Sequence, residues 1–246
     1  MKVIRAIYSI YVLLVFVLGF ILLFPFFLIP IIDKRRHKLV GVFNRVWSRF
    51  VFTLTLLPYE SEYRERLDRK KTYVFCPNHF SYWDIPTLGL NRHNASFVGK
   101  SSVAKVPIFG FMYSNLHIMV DRSSLKSRYA TLIKTQEAVD DGRSLVIFPE
   151  GGMFTKKPPI MTRFKDGPFR LAIEKQIPIV PVTIPYNWII LPDVPRPLFK
   201  RGKVKAIYHE PIETTGLTLS DVDTLKSRVY SIIDDELKGH FSKHEH

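Results

Sequence analysis

A histidine and an aspartate, His79 and Asp84, stand five residues apart directly after a predicted strand. On a regular α-helix that spacing separates two side chains by about 140° around the axis, so they cannot meet there. They can meet where the strand ends at His79 and a turn leads into a helix that begins near Asp84. An aspartate that accepts the Nδ1–H bond of an imidazole fixes its tautomer and leaves Nε2 free as a general base. The spacing therefore predicts a histidine–aspartate pair for proton transfer.

The single cysteine, Cys76, precedes His79 by three residues and limits the chemistry further. A disulfide framework and a cysteine-cluster metal site both need more than one thiol, so both are excluded. A covalent route through Cys76 stays open as an alternative, although a cysteine inside an apolar strand is usually buried and its thiolate disfavoured. The sequence also lacks a P-loop, a dinucleotide-binding glycine motif, a nucleophile elbow and a zinc-protease motif.

The composition restricts the class of partner. The 246 residues include 36 Lys and Arg against 22 Asp and Glu, a formal net charge of +14, and 46% are hydrophobic. A chain this apolar is not intrinsically disordered. Its basic charge favours nucleic acid, an anionic membrane surface or an anionic substrate. Because no nucleic-acid recognition motif is present, we expect no nucleic-acid partner.

The N-terminal segment favours the membrane. Residues 6–32 form an uncharged run of 27 residues, longer than the ~20 that cross a bilayer core. It also exceeds the ~7–15 apolar residues of a secretory signal, which predicts that it is retained. Pro25 and Pro30 interrupt its second half, and basic residues stand at both ends. This pattern favours a segment that dips into one leaflet, with a bilayer span and a buried core helix as alternatives.

A second helix is predicted after this run. Its apolar residues recur at helical spacing: Phe43, Val46, Trp47, Phe50 and Leu54. The polar residues Asn44, Arg45, Ser48 and Arg49 gather on the opposite side. This distribution is typical of an interfacial helix. We therefore predict a membrane-anchoring helix pair over residues 1–58.

The remainder, residues 59–246, is predicted to form an α/β domain. Short β-branched runs predict strands at 72–76, 96–98, 117–120, 144–148, 177–184 and 204–208. Helical patterns lie between them, one of them beginning near Ser123 and a last one capped by Ser220 with Asp223. Strands that alternate with helices predict a largely parallel sheet covered by helices. Residues 60–71, dense in both charges, are predicted to be a solvated linker or helix.

Four blocks in the chain carry a family resemblance. N-H-x-x-x-x-D at 78–84 is followed in order by Val120-Asp121-Arg122, by FPEGG at 148–152 and by IVPV at 179–182. Together they resemble the glycerolipid acyltransferase family, and the chain is similar to the bacterial 1-acylglycerol-3-phosphate acyltransferases within it. One position departs from the family pattern, because Gly152 stands where threonine is more common. This departure puts one substrate contact in doubt.

The resemblance implies an activity. The chain would move a fatty acyl group from acyl-CoA or acyl carrier protein to the sn-2 hydroxyl of lysophosphatidic acid, which forms phosphatidic acid. His79 would act as the general base and Asp84 would orient it. Arg122 and Glu150 would line the acceptor site, unless they only form a structural ion pair, and Gly151 and Gly152 would let the backbone come close. No cofactor or metal is expected.

Several alternatives remain at this point. Lys105 is a further candidate for the acceptor phosphate, although isolated lysines are more often surface charges. The acceptor could be another lysophospholipid or glycerol-3-phosphate. In a different class, the chain could be a non-catalytic module that binds anionic lipids. Thioester donors are cytosolic and residues 34–38 are rich in cations, so we expect a cell-membrane protein with its catalytic domain on the cytoplasmic face.

Overall fold

A computed structural model describes residues 2–120 and 125–242. Within them, seven strands form one sheet in the order β1-β7-β6-β2-β5-β3-β4. Neighbouring strands are parallel except for the antiparallel pair β6 and β7. The strands are β1 (Tyr59–Tyr63), β2 (Val74–Pro77), β3 (Ala95–Lys100), β4 (Ile118–Val120), β5 (Ser144–Val146), β6 (Ile179–Thr183) and β7 (Val204–Tyr208). This topology confirms the predicted α/β fold.

Helices cover both faces of the sheet. The described residues contain α1 (Lys2–Ile32), α2 (Leu39–Leu54), α3 (Asp84–Gly89), α4 (Phe109–Leu116), α5 (Leu125–Asp140), α6 (Gly167–Glu174), α7 (Asn187–Ile190) and α8 (Val222–Phe241). One core cluster joins α5, α6 and α8 to one face of the sheet. The other face carries α3 and α4, and a further cluster joins these helices to α1 and α2. Alternate strand residues feed the two faces, as the pleat of a strand requires.

Strand β1 corrects the prediction of a linker at 60–71. It pairs with β7 at the edge of the sheet. The glutamates of β1 made the strand unrecognisable in the sequence, yet they have a structural role. Glu60 forms an ion pair of 2.6 Å with Lys203, directly before β7, and Glu62 forms one of 2.7 Å with Lys205 of β7. Opposite charges therefore face each other where the two strands pair. Opposite charges on neighbouring strands stabilise the pairing.

The N-terminal helices differ from the prediction in two ways. Helix α1 is continuous through Pro25 and Pro30, although an interior proline removes a backbone hydrogen bond. In α2 the polar residues Asn44 and Ser48 are buried, not exposed, whereas Val46 and Leu54 are exposed. The cause is tertiary, since Asn44 and Ser48 lie against Gly89 of α3, whose missing side chain lets the two helices approach closely.

The start of the last helix also differs from the prediction. Thr218 and Asp221 form a capping box around the short 3-10 turn Leu219–Asp221, and α8 begins immediately after it. Ser220 and Asp223, the predicted capping pair, have the same spacing two residues later. The helix is confirmed, while the capping box belongs to the 3-10 turn before it, where the Thr218 hydroxyl and backbone N–H both donate to the Asp221 carboxylate.

Gly41 and Gly239 give a test of the packing around α2. A Cβ on Gly41 would lie 2.9 Å from the Asn94 Cα, an obstacle that cannot rotate away, whereas a Cβ on Gly239 in α8 would meet nothing within 4 Å. We expect Gly41→Ala to cost about 1–3 kcal/mol of unfolding free energy through overpacking. The control Gly239→Ala should add about 0.5–1 kcal/mol, because alanine loses less entropy in a helix. Chemical denaturation in neutral detergent measures both, and equal signs would contradict the packing described here.

Candidate active site

His79 and Asp84 meet as their spacing predicts. Strand β2 ends at Pro77, a turn follows, and α3 begins at Asp84. His79 Nδ1 lies 3.0 Å from Asp84 Oδ2, and the same oxygen accepts the backbone N–H groups of Phe80 and Ser81 at 3.0 Å each. Asp84 is buried and His79 nearly so. The contact assigns the ring proton to Nδ1, and Nε2 has no hydrogen-bond partner among the described residues.

The ring of His79 is also held from one face. Phe148 stacks on it with ring centroids 3.8 Å apart and planes 20° from parallel. Phe148 lies two residues after the end of β5, the strand that lies beside β2 in the sheet. The carboxyl ends of these neighbouring parallel strands therefore carry both the imidazole and the aromatic ring that fixes its plane. This edge of an open α/β sheet is where such folds place their ligands.

Two asparagines, Asn78 and Asn187, complete the arrangement. Asn78 joins β2 to the end of β6, because its amide donates to the Ile184 carbonyl at 3.0 Å and accepts from the Ile184 N–H at 2.7 Å. Asn187, at the start of α7, donates to Asp84 Oδ1 at 2.9 Å. In the sequence analysis Asn78 stood only as part of the N-H-x-x-x-x-D block, and Asn187 was not selected. Both are polar side chains that follow a buried strand, Asn78 directly after β2 and Asn187 four residues after β6.

The Glu150 side chain supports His79 by accepting the backbone N–H of His79. Its Oε1 accepts the His79 N–H at 2.9 Å, and its Oε2 accepts the backbone N–H and the hydroxyl of Thr162, each at 2.8 Å. Burial raises the pKa of Glu150, and the hydrogen bonds from Thr162 and His79 oppose that shift. Both carboxylate oxygens are therefore engaged in holding the turn that carries the imidazole.

The two glycines after Glu150 are required sterically. Gly151 has a φ of +80°, in the left-handed region, and Gly152 has a φ of +156°. A Cβ on Gly151 would lie 3.0–3.1 Å from the end of the Lys165 side chain, and a Cβ on Gly152 would lie 3.0 Å from the Phe154 ring. Lys165 Nζ is itself 5.5 Å from the centre of that ring. The glycine pair thus brings an ammonium group beside the Glu150 loop.

Three other residues were candidates in the sequence analysis: Lys105, Arg122 and Cys76. Lys105 ends the 3-10 turn Ser101–Lys105 and is exposed. Arg122 lies outside the described residues. Cys76 is fully buried in the sheet core, and burial raises the pKa of its thiol well above the usual range. Because the thiolate is the nucleophilic form, this environment argues against a covalent route through Cys76. Among the described residues, no three His, Cys, Asp or Glu side chains form a group that could hold a metal ion.

Comparison with known proteins gives three findings. A family model described as Acyltransferase matches residues 59–185. A 1-acyl-sn-glycerol-3-phosphate acyltransferase of Brassica napus chloroplasts is 28% identical over 76% of this chain and 54% of that protein, so the chain spans about half the length of this relative. An uncharacterized acyltransferase of Schizosaccharomyces pombe is 30% identical over 82% of this chain and 74% of its own length.

A solved structure has the same fold. The crystal structure of the 1-acyl-sn-glycerophosphate acyltransferase of Thermotoga maritima superposes with a TM-score of 0.77. It is 21% identical and the match covers 96% of this chain and 97% of that one, so the N-terminal helices are included in the likeness.

Glu150→Gln tests whether the hydrogen bonds of the Glu150 carboxylate to His79 and Thr162 hold the turn that carries the imidazole. A glutamine has one acceptor oxygen, so either the His79 N–H or the Thr162 N–H loses its partner. An unpaired buried donor costs about 1–3 kcal/mol, and we expect that loss in chemical denaturation. Because the folded-state pKa of Glu150 is raised, its contribution is greatest in acid and is lost as the pH rises through that pKa. The deficit of the variant should therefore be larger in acid than at neutral pH.

Thr162→Val is the matched control for this experiment. It removes the hydroxyl donor but leaves both backbone N–H groups bonded to Glu150, so its loss should be smaller. A Glu150→Gln variant that is as stable as the wild type at every pH would contradict the role assigned to the carboxylate.

Proposed function

The chain belongs to the Acyltransferase family, and we propose that it transfers a fatty acyl group from an acyl thioester to the sn-2 hydroxyl of lysophosphatidic acid. The product is phosphatidic acid. The observation that carries the proposal is the His79–Asp84 hydrogen bond of 3.0 Å, which leaves Nε2 available at the carboxyl edge of the sheet. The Brassica napus relative, a 1-acyl-sn-glycerol-3-phosphate acyltransferase by name, supports the choice of acceptor.

In the proposed reaction His79 carries one proton from the acceptor hydroxyl to the leaving thiolate. His79 Nε2 takes the proton of the acceptor hydroxyl as its oxygen attacks the thioester carbonyl. The tetrahedral intermediate then collapses, the carbon–sulfur bond breaks, and the leaving thiolate takes the proton from Nε2. Since a thiol is a better leaving group than an alkoxide, no nucleophile on the protein is required. This route uses no cofactor or metal, with acyl-CoA or acyl carrier protein as the donor.

Asp84 and Glu150 divide the support of His79 between them. Asp84 holds the Nδ1–H bond and stabilises the imidazolium that forms during attack. Glu150 holds the His79 N–H and so fixes the backbone from which the ring projects. We propose that the acceptor headgroup lies beside Gly151 and Gly152 and that Arg122 and Lys105 supply cations for its phosphate.

The proposed seat of the enzyme is one leaflet of the cell membrane. Among the described residues, α1 is the one helix long and apolar enough to cross a bilayer. Both of its ends nevertheless contact the α/β domain. Arg5 donates to the Leu198 carbonyl at 2.9 Å, and His37, just beyond the other end, lies 3.1 Å from the Leu116 carbonyl. A helix that crossed the bilayer would carry one end away from the domain.

The outer surface of α1 fits this seat. Its exposed side chains are large and apolar along most of the helix, whereas Val12, Phe20 and Phe27 pack inward. A helix of this kind lies in the membrane plane with its apolar side in the acyl region. Because thioester donors are cytosolic, we place the catalytic domain on the cytoplasmic face.

Thiol release from a long-chain acyl thioester, by full-length protein in detergent, tests the proposal. We expect release to depend on lysophosphatidic acid and to fall by about 10²–10⁴ in His79→Ala, the range of general-base catalysis. Thiol release should also fall in Asp84→Asn, because an amide can turn its nitrogen toward Nδ1. The control Cys76→Ala should retain activity.

The other outcomes point to other functions. Release without any acceptor would indicate a thioesterase. Release with glycerol-3-phosphate or another lysophospholipid in place of lysophosphatidic acid would change the acceptor. Binding to anionic vesicles with no turnover on any acceptor would favour a lipid-binding module.

A further inference from the structure

A basic loop lies beneath the N-terminal half of α1. We define it as residues 192–202, between α7 and β7. It is fixed to the helix by two hydrogen bonds, since Arg5 donates to the Leu198 carbonyl at 2.9 Å and the Phe199 N–H donates to Ser9 Oγ at 2.8 Å. Phe199 is buried and meets the Trp83 ring edge-on at 4.7 Å. The loop is therefore a rigid part of the domain surface next to α1.

The loop presents cations that the protein does not neutralise. Arg196, Lys200 and Arg201 are exposed, and none of them forms an ion pair among the described residues. By contrast, the next cation along the chain, Lys203, pairs with Glu60 at 2.6 Å. Lys2 is exposed in the adjoining turn of α1. Lys2, Arg196, Lys200 and Arg201 thus outnumber the one acidic residue of the loop, Asp193, at this end of the apolar helix.

The geometry sets the depth of these charges. The loop contacts Arg5 and Ser9, on the side of α1 that faces the domain, while Ile4, Ile7 and Leu14 are exposed on the other side. An α-helix with its side chains is ~10 Å across, and interfacial helices insert ~5–10 Å. With its outer side in the acyl region, α1 holds the loop at the level of the lipid phosphates, within one Debye length of them.

We propose that residues 192–202 and the first turn of α1 form a docking surface for the headgroups of anionic phospholipids. The inference rests on the proposed membrane seat and adds a lipid preference to it. Charge complementarity and continuity with the apolar side of α1 select a bilayer over a second copy of this chain, whose own surface would bring the same positive charges.

Vesicle flotation tests the proposal. Full-length protein is diluted from detergent into vesicles of phosphatidylcholine alone or with about 30% phosphatidylglycerol. We expect wild type to prefer the anionic vesicles and to lose that preference as salt is raised. Each cation near an anionic surface changes partitioning roughly fivefold. The triple variant Arg196→Gln/Lys200→Gln/Arg201→Gln should therefore lose about 10- to 100-fold of the preference.

A matched triple variant controls for net charge. Lys134→Gln/Arg170→Gln/Arg228→Gln removes the same charge from α5, α6 and α8, on the opposite face of the sheet, and should keep the preference. Equal effects of the two triples, or no effect of the loop triple, would overturn the proposal. So would a change in oligomeric state of the loop triple in lipid-free micelles. If wild type binds neither kind of vesicle, the membrane seat itself fails. Thermal melting in neutral detergent checks that both triples are folded.

A second inference concerns Asn187 and is carried by a different observation. Asn187 is buried, and its Nδ2 donates to Asp84 Oδ1 at 2.9 Å and to Thr87 Oγ1 at 2.8 Å. Its own Oδ1 is buried and accepts no hydrogen bond among the described residues. The reverse amide orientation would set that oxygen against the Asp84 carboxylate. The Asn187 side chain is therefore held by the two hydrogen bonds that its Nδ2 donates.

We infer that Asn187 is a positioning residue for the proposed acyl transfer. The three donors on Asp84 Oδ2 come from His79, Phe80 and Ser81, all on one turn. Asn187 donates to the other oxygen from α7, across the sheet edge, and so prevents the carboxylate from rotating. Without it, Oδ1 would be a charged acceptor left unpaired in a buried site.

Kinetics of Asn187→Leu, which is similar in volume, test this role. We expect kcat to fall roughly 10- to 100-fold, as for loss of a hydrogen bond to a buried charge, with KM for the acceptor unchanged. A carboxylate with one donor fewer holds the protonated imidazole more strongly, so the acid limb of the pH–rate profile should move to higher pH. Asn187→Ala supplies the same readouts if the leucine variant does not fold.

Thr87→Val separates positioning from packing. It removes the other hydrogen bond of the same amide and leaves the bond to Asp84, so it should lower the melting temperature without moving the pH profile. An Asn187 variant that is active with a wild-type profile would overturn the inference. If wild-type protein transfers no acyl group to any acceptor, the failure belongs to the proposed function instead.

Discussion

The carboxylate of Asp84 is the group on which the site depends. A buried carboxylate is costly unless all of its lone pairs find donors. Here the donors come from the His79 ring, from two backbone N–H groups of one turn and from Asn187. Satisfying this one charge therefore fixes where β2 stops, how the turn is shaped and where α3 and α7 begin. The free Nε2 of His79 is a consequence of that arrangement.

Trp83 connects this site to the N-terminal helices. It stands directly before Asp84, and its ring lies 5.8 Å from Phe16 of α1 and 5.8 Å from Phe52 of α2. It also meets Phe199 of the basic loop. One side chain thus contacts both N-terminal helices and the loop, while the next residue, Asp84, bonds the imidazole. Because these aromatic contacts join Trp83 to α1, α2 and the loop, the proposed membrane surface lies close to His79 and Asp84. A short distance suits the proposed reaction, in which the acyl chain enters from the membrane.

The sequence predicted those features that depend on local spacing. The meeting of His79 and Asp84 follows from a strand, a turn and a helix within a few residues, and the structure confirms it. Asn187 could not be found in this way, because its partner is 103 residues away in the chain. The charged strand β1 was missed because the lysines that pair with Glu60 and Glu62, Lys203 and Lys205, are more than 140 residues away in the chain. Asn44 and Ser48 were placed on the wrong side of α2, because a glycine on another helix decides which side is buried.

The two buried carboxylates also explain how a chain with a net charge of +14 arranges its signs. Asp84 and Glu150 are both buried, and each is neutralised by hydrogen-bond donors rather than by a lysine or arginine among the described residues. Most cations of the described residues lie at the surface, where their hydration is kept, and the buried Lys226 pairs with Asp166 and Asp223. In the proposed function this arrangement separates two tasks. Surface cations attract an anionic lipid, while uncharged hydrogen-bond donors hold the carboxylates that support the imidazole.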